Sequence, residues 1–148
     1  MSWEDAVKRS HIPAKLRSLV IERAKGCCEY CLLSQDYAIA THHLDHLLAL
    51  KHGGRTKIEN LAFVCARCNR RKGSDIASID PADGTLVMLF NPREQVWREH
   101  FTLDGAVLVG LTPSGRATVE LLQMNHPARI AMRRKLMDSG LYPPAHIR

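Results

Sequence analysis

Two cysteine pairs of identical spacing, Cys28-Glu29-Tyr30-Cys31 and Cys65-Ala66-Arg67-Cys68, are separated by 33 residues. Two residues between thiolates let a tight backbone knuckle present both sulfurs to one ion. Four thiolates satisfy the tetrahedral preference of Zn2+ at about 2.3 Å per bond. If all four share an ion, residues 32–64 become a closed loop whose ends are pinned together. A simple zinc ribbon has roughly 15–20 residues between its pairs, so the longer separation needs an inserted element, and a β-hairpin supplies one. Cys27 in place of Cys28 breaks the matched spacing, so Cys27 is read as a small buried residue or a free thiol. No thioredoxin-like βαβ pattern surrounds either pair, which argues against two redox dithiols. A closed four-thiolate site is structural, and no chemistry is expected of its metal.

The remaining composition narrows the class. A chain of 148 residues fits one domain, or a small domain with an appendage. The net charge of +6 favours a polyanionic partner. Aromatic residues make up only 5% of the chain, too few to expect a base-stacking platform. The polar start, Met1-Ser2-Trp3-Glu4-Asp5, does not read as a secretory leader, and no apolar run approaches the ~20 residues that span a bilayer. Closely paired cysteines without a disulfide framework suit a reducing setting, so a cytoplasmic protein with no membrane partner is expected.

Pro13 opens a helical pattern through Leu16, Leu19, Val20 and Ala24, with Gly26 as its stop, and residues 1–12 read as polar and loose. Residues 37–50 predict two short strands, 40–44 and 47–50, with Asp45-His46 at the bend between them. His52-Gly53-Gly54-Arg55 reads as a loop and Asn60 as part of a short turn. Residues 66–72 are good helix formers up to Gly73, so the second knuckle opens a helix. Beyond it, Asp80-Pro81-Ala82-Asp83-Gly84 predicts a turn and residues 86–90 a strand. Residues 97–103 and 106–111 predict a hairpin around Asp104-Gly105. Thr112 reads as the N-cap of a helix reaching about residue 124, and Asn125-His126-Pro127 as a break before a basic helix. Trp97 and Phe101 are expected to pack. Arg129, Arg133, Arg134 and Lys135 are read as a solvated face of the last helix. The chain divides on this reading into a core, 1–78, and an extension packed on it, 79–148.

Between and beside the cysteines stand His43-Leu44-Asp45-His46, His52-Gly53-Gly54, Glu59-Asn60-Leu61 and Asn69-Arg70-Arg71-Lys72. Together with both cysteine pairs this string resembles the HNH endonuclease family, in its McrA-like, cysteine-bearing branch, over about residues 27–75. Many members carry a final His where this chain has Asn69, so it is similar to an H-N-N variant. The resemblance implies a ββα-metal (His-Me finger) nuclease core with a structural zinc held by four cysteines; with the C-terminal β-hairpin and helical extension read from the residues beyond it, the fold expected is α+β. It implies a metal-dependent endonuclease that hydrolyses DNA phosphodiester bonds by nicking, and it gives Asn60 the task of steadying the loop that carries His46.

Physical chemistry suggests roles for the rest. His46 suits a general base, because an imidazole titrates near neutrality. Asp45 offers a hard oxygen and Asn69 a neutral carbonyl oxygen, a pair that suits hydrated Mg2+ or Mn2+. His43, two strand positions from Asp45, should face the same side and contact phosphate or support the metal. Arg67, Arg70, Arg71 and Lys72 are expected to neutralise phosphates beside the cut without reading sequence. The partner expected is DNA, single- or double-stranded. One site cuts one strand, so a double-strand break needs two events or a homodimer. Two alternatives stay open: a zinc-stabilised nucleic-acid-binding module without catalysis, and an RNA-cleaving enzyme on the same scaffold.

Overall fold

In the computed structural model, which describes residues 11–147, the chain is mixed α and β, with small two-stranded sheets and short helices. The centre is built on β2 (Leu61–Val64), a strand buried along its whole length because both faces are covered. Ala62 and Val64 join a core containing the four paired cysteines, Tyr30 and Leu47. Leu61 and Phe63 pack instead with Val20 and Ala24, on or beside α1 (Ala14–Arg23). Gly26, with φ +69°, turns the chain out of that helix into the first knuckle. The expectation of a loose segment over residues 1–12 falls largely outside the described residues.

β1 (His43–His46) pairs antiparallel with β2, setting His43 opposite Val64, Asp45 opposite Ala62 and His46 opposite Leu61. α2 (Ala66–Lys72) follows directly, with Cys65 at its N-cap, and packs on β1. The result is a strand, strand, helix unit in which the second knuckle opens the helix. One expectation is corrected here. Asp45 and His46 are not a bend between two neighbouring strands; they end β1, whose partner is residues 61–64. Residues 47–50 do not form a strand. They enter a loop with 3-10 turns at Leu50–His52 and Ile58–Asn60.

The loop has its own lock. The Asn60 amide donates to the carbonyls of Leu48 and Arg55, each at 2.9 Å, and its Oδ1 accepts from the Leu48 N–H at 2.8 Å. The Leu47 N–H also donates to the Asn60 carbonyl. These bonds draw residues 47, 48 and 55 onto one side chain and its backbone, leaving 47–50 no partner strand to pair with. Gly54 closes the loop at a spot where a Cβ would stand 1.7 Å from the Leu48 carbonyl oxygen, so only glycine fits.

β3 (Ala77–Ile79), which the sequence did not suggest, pairs with β4 (Leu86–Met88) across the expected turn. α3 (Trp97–His100) replaces the first half of the predicted hairpin strand. The Trp97 indole N–H bonds to the Tyr30 carbonyl at 2.8 Å, and its ring lies against Phe101, so the turn of helix serves packing. β5 (Phe101–Asp104) and β6 (Val107–Gly110) form the hairpin, and α4 (Pro113–Leu121) and α5 (Pro127–Asp138) complete the chain. The Thr112 hydroxyl caps α4 by accepting from the Gly115 N–H. Gly115 sits against the His100 carbonyl, with space for no side chain. Phe90, Phe101, Leu108, Leu122 and Met124 from this half share one apolar cluster with the cysteines.

Candidate metal centre and active site

The Sγ atoms of Cys28, Cys31, Cys65 and Cys68 all lie within 4.8 Å of one another, and all four residues are buried. The Cys31 and Cys65 sulfurs are 3.7 Å apart. Tetrahedral bonds of about 2.3 Å imply sulfur separations of about 3.8 Å, so the donor set fits a structural zinc. Each knuckle bends its own backbone to its first sulfur: the Cys31 N–H faces Cys28 Sγ at 3.5 Å, and the Cys68 N–H faces Cys65 Sγ at 3.4 Å. Cys27 is buried beside the tetrad but outside it, and burial pushes its thiol pKa up, as for an inert thiol.

The C-terminal half is built onto these knuckles. The Arg129 guanidinium donates to Cys68 Sγ at 3.0 Å while also bonding the Leu122 carbonyl at 2.8 Å. The Tyr142 hydroxyl donates to the Cys31 carbonyl at 2.7 Å. Arg133 donates to the Ala106 carbonyl and to Asn125. The reading of residues 129–135 as a solvated face is therefore corrected for Arg129 and Arg133, which are buried; Arg134 and Lys135 are exposed. Four thiolates around a divalent ion leave excess negative charge, and a buried guanidinium is a fitting counterion.

Asp45 is the inward-facing residue near the end of β1. Its Oδ2 lies 2.8 Å from Lys72 Nζ, and the two side chains are 11% and 3% exposed. This corrects Lys72 as a phosphate contact, since the ammonium is buried against a carboxylate. Burial raises the Asp45 pKa, with the Lys72 charge opposing it. Lys72, Asn69, Cys68 and Cys65 recur at the three- and four-residue steps that share one helix face. Asn69 is thus one turn from Lys72 on the face packed towards β1, and it is half-buried.

Strand alternation turns His46 to the side opposite Asp45, at the point where the chain leaves the sheet. Its Nε2 is 2.9 Å from the Thr56 hydroxyl. The ring still lies within electrostatic reach of both Asp45 and Lys72. Desolvation lowers its pKa below the ordinary imidazole value, Asp45 works against that shift, and Lys72 adds to it. The Thr56 contact had no sequence signal. Asn60, as described, holds the loop that carries Thr56. His43 is exposed on the Asp45 side of β1. His42 is a buried neighbour of Phe63, with Nε2 2.8 Å from the Leu33 carbonyl.

Arg67, Arg70 and Arg71 are exposed on the outer side of α2, away from Asn69 and Lys72. With Gln123, His126 and Arg129 they line a groove of about 480 Å3 between α2 and the start of α5. Arg71 also donates to the Leu121 carbonyl at 3.2 Å.

Residues 28–75 match the family model described as HNH endonuclease. That segment is an HNH domain, and its buried cysteine tetrad is consistent with the zinc-bound branch of the family. No curated protein and no solved structure matches the chain. No helix among the described residues is long and apolar enough to cross a membrane.

Proposed function

We propose that the protein is a metal-dependent DNA endonuclease that nicks one strand at a site built from Asp45, His46, Asn60 and Asn69. The observation that carries the reading is the HNH match over residues 28–75, with Asp45-His46 at the end of a strand packed against the helix that bears Asn69. In support, β1 turns the Asp45 carboxylate to the face of α2 that bears Asn69, where it offers a hard oxygen ligand. Asn69 adds a neutral oxygen donor, which fits a hard ion such as Mg2+ or Mn2+. Such an ion, when bound, supplies Lewis-acid polarisation of the scissile phosphate and relief of charge on the leaving oxygen.

The protein's own groups do the rest. If the Thr56 hydroxyl accepts from Nε2–H, the proton of His46 is fixed on Nε2 and the lone pair on Nδ1 is free to act as base. The imidazole takes a proton from the attacking water as the new P–O bond forms and the P–O3′ bond breaks. Asn60 keeps the loop bearing Thr56 in register, and so positions the base without touching substrate. Arg67, Arg70 and Arg71, on the outer side of α2, bind phosphates farther along the nucleic acid rather than beside the cut, and His43 contacts phosphate or supports the cation.

The test is a supercoiled-plasmid nicking assay with Mg2+, Mn2+ or chelator. Wild type should nick only with added metal, and His46→Ala, folded and zinc-loaded, should lose on the order of 10²–10⁴ of the rate. Equal inertness of both proteins, with DNA binding retained, would instead favour a non-catalytic binding module. A parallel RNA substrate addresses the RNA-cleaving alternative.

A further inference from the structure

Lys72 has two properties that a phosphate-binding lysine lacks. It is 3% exposed, and its ammonium touches the carboxylate read above as a cation ligand. A buried ammonium needs a counter-charge, and Asp45 provides it at 2.8 Å. Beyond this contact, neither Lys72 Nζ nor Asp45 Oδ2 has a hydrogen-bond partner among the described residues. The pair is held together by charge and burial, and the ammonium has donors left over beyond the one carboxylate oxygen it faces.

The charge count at that spot is simple. Asp45 contributes −1, Lys72 contributes +1, and Asn69 is neutral. A divalent cation approaching the free protein therefore meets a site with no net negative charge, and an ammonium already lying against one oxygen. Among the described residues, the four cysteines form the one cluster of three or more His, Cys, Asp or Glu side chains able to hold a metal ion. The Asp45 site, by contrast, is incomplete from protein donors alone. Phosphate oxygens would add both the missing ligands and the missing negative charge.

We propose that Lys72 is a resident counter-cation of the Asp45 site, which keeps that site weak for divalent metal until a phosphodiester arrives with it. The inference rests on the reading of Asp45 and Asn69 as cation ligands. Lys72 is anchored for this task by its helix: Cys65 and Cys68 fix α2 to the sulfur centre, and Lys72 follows on the same face. Loading of the metal is thereby tied to substrate, and the lysine opposes the cation without itself contacting DNA.

Mn2+ binding to the zinc-loaded full chain, followed by the electron paramagnetic resonance signal of free Mn2+, tests this without reference to turnover. Wild type should bind Mn2+ weakly, in the millimolar range typical of an uncharged oxygen site, roughly as weakly as the weakest calcium modules. Lys72→Met, which keeps the chain length and removes the charge, should bind on the order of tenfold tighter or more. Lys72→Arg should behave as wild type. Unchanged or weaker binding by a folded Lys72→Met overturns the proposal, and so does micromolar binding by wild type, a result that holds even if the methionine variant does not fold. Adding Asp45→Asn to Lys72→Met should abolish the gain. A gain that survives Asp45→Asn shows instead that the metal sits elsewhere, which sinks the reading of Asp45 as a ligand and is distinguishable from failure of the lysine proposal.

Discussion

The sulfur centre and the Asp45 site share one short helix, α2, yet they are finished to different degrees. Cys65 and Cys68 begin the helix with donors fully buried, four sulfurs mutually within 4.8 Å, and Arg129 already in place against them. Asn69 and Lys72 end the same helix beside the Asp45 carboxylate, and one carboxylate with one amide oxygen does not complete a donor set. A completed, desolvated donor set is what a structural ion requires, because nothing need enter or leave. An incomplete set is what a reacting site requires, because water and substrate must fill it. The first centre therefore fixes geometry on which the second depends.

That dependence predicts the largest effect. Structural zinc contributes about 10–16 kcal/mol of apparent binding free energy in small modules, as much as or more than the whole stability of an ordinary domain, about 5–15 kcal/mol. Stripping the metal, or replacing Cys68 with Ser, should abolish cooperative thermal unfolding by circular dichroism. Elemental analysis should give one zinc per folded chain. A cooperative melt that survives complete zinc removal would show that the two centres are independent after all.

Arg129 sharpens the same contrast from the other half of the molecule. Its guanidinium joins Cys68 Sγ to the Leu122 carbonyl, whereas Arg134 on the next turn is exposed. Truncating a buried, hydrogen-bonded charge costs about 3–5 kcal/mol, while an exposed change typically stays within about 0.5 kcal/mol. Arg129→Ala should lower the denaturant midpoint markedly and Arg134→Ala should leave it nearly unmoved. Equal effects would mean that the guanidinium does not support the sulfur centre.

What the sequence made legible follows from the range of each signal. The knuckles, α2 and its stop at Gly73, and the Thr112 cap with Pro113 behind it are local patterns, and they stand where the spacing put them. Strand pairing is non-local, and that is where the reading failed. Residues 47–50 look as β-compatible as 43–46, but the three bonds of Asn60 and the tight fit of Gly54 take them into a loop. Lys72 was misread as a phosphate contact because it ends a basic run, although its spacing from Cys65, Cys68 and Asn69 already set it on the buried side. Arg129 and Thr56 had no local signal at all, since each is defined by a partner 61 or 10 residues away.

A smaller effect is expected at the loop of the open site. Asn60→Ala leaves the Leu48 N–H and the Leu48 and Arg55 carbonyls without their side-chain partner, at about 0.5–1.5 kcal/mol for a typical hydrogen bond. The loss should appear as faster amide hydrogen exchange confined to residues 47–57, with the sulfur centre still protected. Exchange that quickens equally throughout residues 28–75 would show that the loop is not a separate unit from the zinc clamp.

The smallest effect lies far from both centres, in the extension. Asp80 is buried and bound by Arg116 through two bonds, Nε to Oδ1 at 2.9 Å and Nη2 to Oδ2 at 2.7 Å, and the Ala82 N–H also donates to it. The Arg116 bonds hold its carboxyl below the usual aspartate range. A depressed folded-state pKa contributes stability that is fully present above the unfolded value, about 3.9, and is lost as pH falls through the folded value. Asp80→Asn should therefore lower the melting temperature at pH 7, and the gap from wild type should narrow as both are titrated below about pH 4. Because Asp80 joins the turn after β3 to α4, the shift should come with zinc content unchanged. If zinc is lost along with the melting temperature, the extension is not peripheral to the clamp, and the division between a finished centre and the structure around it has to be redrawn to include the turn at residues 80–84.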